Sequence, residues 1–311
     1  MNSSNPYKHI VITGGNGFIG SSLVKQLIQK GYTPIVLNRP SSNSDRLKEV
    51  NGYQTYTYSH LTDDDLIHKL KQRQPQAFIH LAWKGTHNRE HNQPYQILDN
   101  LPLTLDSVTL ANAVGCQHWI GIGSQTEYGN PNCQVNENYP TQPNTIYGQA
   151  KLASCWSGLG LCQAYNMTGT WLRLFGVYGP GDAPYHLFPY VMQEFLNGRR
   201  PKVTQCEQKW DFLYIDDITN AIIHVLDKKP SGIFNLGSGQ AIRLRDVVEL
   251  IRSLCQSQIN ADYGAIPYKP NQVMYLQSDS SKLQTSTNWN PNISLKQGLQ
   301  NTLDWLKQIS I

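Results

Sequence analysis

The first half of the 311-residue chain alternates short apolar runs with amphipathic stretches. Short apolar runs bounded by turn residues are typical of buried strands, and a three-and-four apolar spacing is typical of helices that cover a sheet. The pattern predicts strands over residues 9–13, 34–37, 54–58, 77–82 and 118–123, and helices over residues 18–30, 63–72 and 95–113. Strands that alternate with helices in this way predict right-handed crossovers and a doubly wound parallel sheet, with the ligand at the carboxyl ends of the strands.

The pattern changes in the second half of the chain. A further helix is predicted over residues 146–165 and a sixth strand over 169–175, followed by the turn-rich sequence Tyr178-Gly179-Pro180-Gly181-Asp182. We therefore predict an α/β fold with a Rossmann-type domain in residues 1–175 and a smaller C-terminal substrate-binding lobe in residues 176–311. One later segment, residues 232–236, is expected to return to the main sheet as a strand.

Composition narrows the class of protein. Hydrophobic residues make up 39% and charged residues 15%, which is typical of a globular chain, and the formal charge of +4 without a basic run favours a small anionic ligand over nucleic acid. The six cysteines form no C-x-x-C pair, so no metal site is predicted and free thiols in a reducing compartment are expected. No apolar stretch is long enough to span a bilayer and no signal peptide is recognised, so we expect a cytoplasmic protein without a membrane partner.

A glycine-rich loop follows the first predicted strand. It reads Thr13-Gly14-Gly15-Asn16-Gly17-Phe18-Ile19-Gly20 and leads directly into a predicted helix. Glycines at these places allow a tight turn, close approach of the backbone to a pyrophosphate, and close packing of helix on sheet. The helix N-terminus then offers free N–H groups to the phosphates. We predict a dinucleotide site whose loop contacts come from Gly14, Asn16, Gly17, Phe18 and Ile19.

The residues at the end of the second predicted strand indicate whether the dinucleotide is NAD or NADP(H). An NAD site usually carries a carboxylate there, which accepts hydrogen bonds from the ribose hydroxyls. This chain has Asn38 and Arg39 instead, and no acid occurs before Asp45. A guanidinium pairs well with a phosphate, so NADP(H) is the predicted cofactor, with Asn38 and Arg39 as contacts.

Tyr147 and Lys151 form a Y-x-x-x-K pair, and of the 17 tyrosines only Tyr147 has a lysine four residues later. On a helix this spacing puts both side chains on one face. A free phenol has a pKa of about 10, and a neighbouring ammonium is expected to lower it so that the phenol can exchange a proton near neutral pH. Ser124 follows a predicted strand and is expected at the same edge of the sheet. These three residues are the predicted catalytic set.

Taken together, these motifs resemble the extended short-chain dehydrogenase/reductase family, in its nucleotide-sugar branch. Thr13–Gly20 resembles that family's T-G-x-x-G-x-x-G loop, His80-Leu81-Ala82 its H-L-A motif, and Ser124, Tyr147 and Lys151 its catalytic triad. Residues 172–180, 211–217 and 234–237 are similar to later family segments, so the resemblance covers nearly the whole chain.

The resemblance implies roles for individual residues. Tyr147 is the acid–base group, Lys151 also binds the nicotinamide ribose, and Ser124 orients the substrate oxygen. Further cofactor contacts are implied at Leu61, Leu81, Ala82, Trp83 and Asn100, and substrate contacts at Trp83, Ser124, Gln125, Tyr147 and Trp210. The family often forms homodimers through the helix of Tyr147 and the helix of Asn100, and the apolar residues of 150–164 spread around more than one face, so a homodimer is expected.

The chain departs from the family pattern at several places. His60 stands where an acid often contacts adenine, and Gly176 replaces an asparagine that usually contacts the substrate diphosphate. Trp210 replaces the arginine that commonly precedes Asp211. In the family's 4,6-dehydratases an Asp-Glu pair follows the hydroxyl residue, whereas Gln125 and Thr126 stand here.

Three functions remain after these comparisons with the family pattern. The resemblance favours NADPH-dependent reduction of the 4-keto group of a nucleotide-activated 4-keto-6-deoxyhexose, a step of deoxysugar and polysaccharide biosynthesis. A nucleotide-sugar 4-epimerase is the alternative within the enzyme class. A non-catalytic NADP(H)-binding sensor is the alternative outside it.

Overall fold

A seven-stranded parallel sheet forms the centre of the molecule. The computed structural model describes residues 9–270 and 272–309. The strands of the sheet are β1 (His9–Thr13), β2 (Thr33–Asn38), β3 (Gln54–Thr57), β4 (Ala77–His80), β5 (His118–Ser124), β7 (Thr168–Leu174) and β11 (Gly232–Leu236). They lie in the order β11-β7-β5-β4-β1-β2-β3. Each neighbouring pair is parallel, as the βαβ pattern predicts.

Both faces of this sheet are covered, which explains the nearly continuous apolar runs of its strands. Ile10 and Ile12 lie in one apolar cluster and Val11 in the other, since successive side chains point to opposite faces. The helices are α1 (Phe18–Gln29), α2 (Asp64–Lys71), α3 (Tyr95–Leu98), α4 (Asn100–Ala113), α5 (Ile146–Ala164), α6 (Leu187–Leu196), α7 (Ile215–Lys228), α8 (Leu244–Leu254), α9 (Ser281–Thr287) and α10 (Leu295–Ile309).

Shorter strands build the second part of the fold. A five-stranded sheet runs in the order β12-β10-β14-β6, with β8 also paired to β10, and a two-stranded sheet joins β13 and β9. These strands are β6 (Gln134–Val135), β8 (Gly176–Tyr178), β9 (Lys202–Val203), β10 (Lys209–Tyr214), β12 (Ala241–Arg243), β13 (Asp262–Tyr263) and β14 (Tyr275–Ser278). A third apolar cluster, contributed mainly by α6, α8 and α10, lies in this part of the molecule.

The predicted Rossmann-type class is confirmed, and most elements end within one or two residues of their predicted limits. The helix predicted over residues 95–113 is wrong in one respect, because the structure divides it at Asp99 into α3 and α4. The segment 232–236 forms β11 and pairs with β7 in the main sheet. The chain crosses between the two parts more than once, since β6 precedes residue 175 but pairs with β14.

Three further features concern the described residues only. None of their helices is long and apolar enough to cross a membrane. Their histidines, cysteines and acids form no cluster of three or more that would suit a metal ion. All six cysteines are free, and Cys116, Cys155, Cys162 and Cys206 are buried.

Candidate active site

The glycine-rich loop joins β1 to α1 in a geometry that only glycine allows. Gly14 has a φ of 72°, and a Cβ built on it would lie 2.7 Å from the backbone nitrogen of Ala82. A Cβ on Gly20 would lie 2.1 Å from the carbonyl oxygen of Gly14, so helix and loop are in direct contact there. Gly17 is the N-cap of α1, with no side-chain cap and no acidic residue in the first turn. The free N–H groups of this helix end therefore remain available for an anion, and the loop fits a dinucleotide pyrophosphate.

Of the predicted loop contacts, Asn16 lies in the loop before α1, and Phe18 and Ile19 begin the helix and are half-buried. The Asn16 amide donates to the Asn38 side-chain oxygen at 2.8 Å, and the Asn38 amide donates to the Thr55 hydroxyl at 2.8 Å. Asn38 thus lies at the end of β2, tied to the glycine loop and to β3. Arg39 follows with an exposed side chain. This edge of the crevice carries a cation and two amides, and neither Asn38 nor Arg39 supplies a carboxylate to accept from ribose hydroxyls.

Of the other predicted cofactor contacts, Leu81 and Ala82 lie directly against Gly14, at the bottom of the crevice. Leu61 is 1% exposed and packs in the apolar cluster on one face of the main sheet. Asn100 is buried and makes its contacts within the protein. Its side chain accepts from the Lys84 backbone N–H at 2.7 Å and donates to the Lys84 carbonyl at 3.0 Å. Direct contact of Leu61 and Asn100 with a cofactor stays a prediction, whereas the role of Asn100 in holding the chain after β4 is observed.

The predicted catalytic pair, Tyr147 and Lys151, lies on the first two turns of α5. Thr145 caps this helix by accepting from the Gly148 N–H at 3.1 Å. Tyr147 is half-buried and Lys151 is buried. The Lys151 ammonium donates to the carbonyl oxygen of Ile122 on β5 at 2.7 Å and lies 5.9 Å from the centre of the Tyr147 ring. This contact attaches the helix to the strand that carries Ser124.

Ser124 is the last residue of β5, and its side chain acts to lower the pKa of the Tyr147 phenol. Its oxygen also accepts from the Thr126 backbone N–H at 3.2 Å and from the Thr126 hydroxyl at 2.9 Å. With two donors already on its oxygen, Ser124 can act toward a further group only by donating its own hydroxyl proton. The arrangement brings all three predicted catalytic residues together.

A buried ion pair lies beneath Ser124. The Glu127 carboxylate accepts from the Ser124 backbone N–H at 2.9 Å, the Trp171 indole at 3.0 Å and the Arg173 guanidinium at 2.7 Å. The side chains of Glu127 and Arg173 are 0% and 1% exposed. Because this carboxylate is fully engaged and shielded from solvent, it holds the turn after β5 and does not act as a general base.

The prediction that Lys151 lowers the pKa of Tyr147 is wrong for this structure. Burial raises the pKa of the Tyr147 phenol to about 12, although the hydrogen bond with Ser124 acts in the opposite direction. Burial also lowers the pKa of Lys151 to about 7, partly offset by the charge of Glu127. The ammonium is directed to the Ile122 carbonyl and not to the phenol, so desolvation decides the phenol's pKa. Tyr147 consequently holds its proton throughout the neutral range.

Trp83, a predicted contact of both cofactor and substrate, packs against Lys151 and Tyr147. Its ring centre lies 3.5 Å from the Lys151 ammonium, and it packs edge-on against Tyr147 with ring centres 5.8 Å apart. The indole N–H donates to Gln96 at 2.8 Å. Trp83 therefore covers the catalytic pair through a cation–π contact, which stabilises the buried ammonium by about 1–2 kcal/mol.

The two remaining predicted substrate residues lie in different surroundings. Gln125 is half-buried and begins the turn directly after Ser124, so it adjoins the catalytic set. Trp210 lies on β10 of the second sheet, where its indole donates to the Val273 carbonyl at 3.2 Å and packs on the cluster around Tyr128. The contacts of Trp210 are thus with the second sheet and not with the triad.

Four residues of the site are missing from the predicted set: Thr126, Glu127, Gln96 and His91. Thr126 and Glu127 adjoin Ser124 in sequence, and the S-x-x-E spacing of a capping box was the available signal. The box is present, since Ser124 accepts from the turn's backbone and Glu127 accepts from the Ser124 N–H. His91 stacks on the Tyr147 ring, with ring centres 4.4 Å apart and an angle of 9° between the ring planes. No local sequence pattern predicts this contact.

The chain is similar to known proteins in sequence and in fold. The chain is 26% identical to a putative UDP-glucose 4-epimerase of Methanocaldococcus jannaschii, covering 96% of this chain and 98% of that protein. It is also 26% identical to the CDP-abequose synthase of Salmonella muenchen, covering 95% and 97% of the two chains. The crystal structure of Thermotoga maritima UDP-glucose 4-epimerase with UDP-glucose superposes with a TM-score of 0.87 at 23% identity, covering 97% and 100%, and shows the same fold.

A protein-family model described as the NAD dependent epimerase/dehydratase family matches residues 10–237. The matched part extends from β1 through the glycine-rich loop, Ser124, Tyr147 and Lys151 to the residue after β11. A match over this much of the chain means that the protein belongs to the NAD dependent epimerase/dehydratase family.

Proposed function

We propose that the protein catalyses the NADPH-dependent reduction of the 4-keto group of a nucleotide-activated 4-keto-6-deoxyhexose. The observation that carries the proposal is the placement of Tyr147 and Lys151 on the first turns of α5, attached through Lys151 to the strand that ends in Ser124, while the carboxylate of Glu127 in the turn after Ser124 is engaged by Arg173. A reductase needs a proton donor at the ketone oxygen, and this arrangement supplies one.

The nicotinamide cofactor supplies the hydride when it is bound. Tyr147 gives its proton to the oxygen that becomes the sugar hydroxyl, and the Ser124 hydroxyl orients that oxygen and the phenol. Lys151 donates to the Ile122 carbonyl and so holds the helix that carries Tyr147 against the strand that ends in Ser124. The glycine loop at residues 14–20 holds the pyrophosphate, and the substrate nucleotide lies between residues 1–175 and the lobe of residues 176–311.

The turn after Ser124 supports a reductase over a dehydratase. Elimination of water from a sugar requires an acid–base group beyond the tyrosine, and neither Gln125 nor Thr126 titrates. Glu127 is the nearest carboxylate along the chain, and it is enclosed between Arg173, Trp171 and the Ser124 N–H. The same turn suits simple ketone reduction, which needs only one proton.

A 4-epimerase is the second candidate, because one of the relatives above is named as a putative UDP-glucose 4-epimerase. It would use the same three residues and return the hydride to the sugar. A non-catalytic sensor is disfavoured by the presence of Ser124, Tyr147 and Lys151 in one site, since binding alone needs no protonated phenol.

We also propose a cytoplasmic location, in keeping with six free thiols.

The first prediction tests the acid–base role. Tyr147→Phe keeps the ring contacts and removes the proton, so turnover with a 4-keto-6-deoxy sugar nucleotide should fall by ~10²–10⁴-fold while NADPH binding survives. Turnover is followed by NADPH absorbance and binding by NADPH fluorescence. Tyr165→Phe, the same change at the end of the same helix, is the control and should leave both unchanged. A Tyr147→Phe enzyme with wild-type turnover contradicts the assignment, and NADPH binding without turnover of any sugar nucleotide by the wild type supports the sensor.

The second prediction concerns the cofactor. Asn38 and the exposed Arg39 support NADP(H), and removal of a charge-assisted phosphate contact costs about 1.5–3 kcal/mol, or roughly 10- to 100-fold. Arg39→Ala should lower kcat/KM for NADPH by that factor and leave kcat/KM for NADH unchanged. Arg73→Ala, which truncates another exposed arginine, should change neither value. Equal kcat/KM values for NADPH and NADH in the wild type would contradict the proposed preference for NADPH.

We propose a homodimer formed through α4 and α5. These helices pack on each other, and the outward side chains Leu98, just before α4, and Trp156, on α5, are 69% and 61% exposed. Large exposed apolar side chains on one surface are typical of a protein interface.

The third prediction follows from that surface. Sedimentation velocity at micromolar concentration should show a dimer for the wild type and a monomer for Trp156→Glu, because a buried carboxylate without a partner costs several kcal/mol. Ile266→Glu, which places the same charge on an exposed apolar residue elsewhere, should leave the dimer intact. A monomeric wild type, or a dimeric Trp156→Glu protein, refutes this interface.

A further inference from the structure

The segment after β4, residues 83–94, folds over the catalytic helix. Two buried amides fix its path: Asn100 bonds the backbone of Lys84 in both directions, and Gln96 accepts from the Trp83 indole. The Gln96 amide nitrogen also donates to the Gly85 carbonyl at 2.5 Å and the Glu90 carbonyl at 3.2 Å. Gln96 is 0% exposed, so these bonds do not compete with water. The segment is therefore a defined structure and not a freely moving loop.

This segment satisfies the first N–H groups of α5. The Ile146 N–H donates to the Asn92 side-chain oxygen at 3.2 Å, and the Tyr147 N–H donates to the His91 carbonyl at 2.7 Å. The first N–H groups of a helix have no partner inside the helix, so these contacts fix the helix end from outside. The backbone of the catalytic tyrosine is thereby attached directly to His91.

The His91 side chain makes a second, independent contact with the same tyrosine. Its ring lies parallel to the phenol ring, with centres 4.4 Å apart and planes 9° apart. Its Nε2 donates to the Thr86 carbonyl at 3.1 Å, since a carbonyl only accepts, and this bond fixes the ring's orientation. Burial lowers the pKa of His91, Lys269 and His87 act in the same sense, and the Thr86 carbonyl and Glu90 act in the other. The ring is neutral at pH 7 and stacks as an aromatic surface.

Trp83 completes the enclosure of the phenol, edge-on to the ring at 5.8 Å. A phenol ring held by a stacked ring and an edge contact has little freedom to rotate about its Cα–Cβ and Cβ–Cγ bonds. Its hydroxyl then keeps one position in the site, and the proton stays where a substrate oxygen would receive it. Loss of such positioning by about 1 Å costs on the order of 100-fold in rate.

We propose that His91 is a positioning residue for Tyr147, whose stacked ring holds the phenol in the orientation needed for proton transfer. The role needs an aromatic plane at this place and not the imidazole nitrogens, because the Nε2 bond to Thr86 only orients the ring. The inference rests on the proposed acid–base role of Tyr147 in carbonyl reduction. It goes beyond that role by assigning a function to a segment that does not itself carry the reacting groups.

The fourth prediction tests the positioning role by kinetics. His91→Phe keeps an aromatic plane and should retain kcat within about threefold of wild type, whereas His91→Ala should lower kcat and kcat/KM together by about 10- to 100-fold with little change in KM. His68→Ala truncates an exposed histidine on α2 and should have no effect. Wild-type kcat in His91→Ala overturns the proposal, and so does a kcat in His91→Phe as low as in His91→Ala, since the imidazole itself would then be required.

A second measurement needs no substrate and so separates this inference from the proposed reaction. In the ¹³C-histidine-labelled protein, the His91 ring protons are identified by their loss in His91→Phe and should resonate upfield because they lie over the Tyr147 ring. Tyr147→Ala should return them to ordinary positions. Unchanged His91 resonances in Tyr147→Ala overturn the stacking. If the His91 resonances do shift in Tyr147→Ala but the wild type turns over no 4-keto sugar nucleotide, the stacking of His91 on Tyr147 is supported and the proposed reaction is contradicted.

Discussion

The buried carboxylate of Glu127 is the contact on which the candidate site depends. It binds the Ser124 N–H at the end of β5, the Trp171 indole and the Arg173 guanidinium on β7, so it joins the catalytic turn to two neighbouring strands. Removing one partner of a buried ion pair typically costs about 3–5 kcal/mol, because the other charge is left without compensation. Such a contact keeps Ser124 in a single orientation, and Ser124 in turn meets the phenol of Tyr147. The same engagement removes the nearest carboxylate from the chemistry, and this restricts the site to the proton of the tyrosine.

Burial acts in opposite directions on the two titrating members of the site. It raises the pKa of Tyr147 to about 12 and lowers the pKa of Lys151 to about 7, because in both cases it disfavours the charged form. The phenol therefore keeps its proton, while the ammonium is stabilised by the Ile122 carbonyl and the face of Trp83. In a reduction the proton must be on the tyrosine before the reaction begins, which is the state that this environment favours. The segment of residues 83–94 adds orientation to that state through Trp83 and His91.

The sequence allowed the main sheet and the chemistry at its edge to be predicted, because both are local patterns. Apolar runs of strand length mark β1, β2, β4, β5 and β7, and the glycine loop and the Y-x-x-x-K pair each lie within one short stretch. The break at Asp99 was missed because apolar residues continue on both sides of it, and the break is held by Gln96 and Asn100 reaching back to the segment after β4. The partner of Glu127 lies 46 residues away on β7, and only the pairing of Gly123 with Arg173 in the sheet brings them together. The contacts of Trp83 with Lys151 and of His91 with Tyr147 are likewise tertiary contacts, and no periodic pattern in the sequence indicates them.

Isotope transfer tests whether hydride passes from NADPH to the carbon of a sugar ketone while Tyr147 supplies the proton. The protein is incubated with a 4-keto-6-deoxy sugar nucleotide and with NADPH deuterated at one or the other face of nicotinamide C4, and the product is analysed by NMR and mass spectrometry. The expected result is one deuterium at sugar C4 from one of the two cofactors, in an amount equal to the NADPH oxidised. Conversion of a hexose nucleotide to its 4-epimer without deuterium incorporation and without loss of NADPH would contradict it and favour the epimerase.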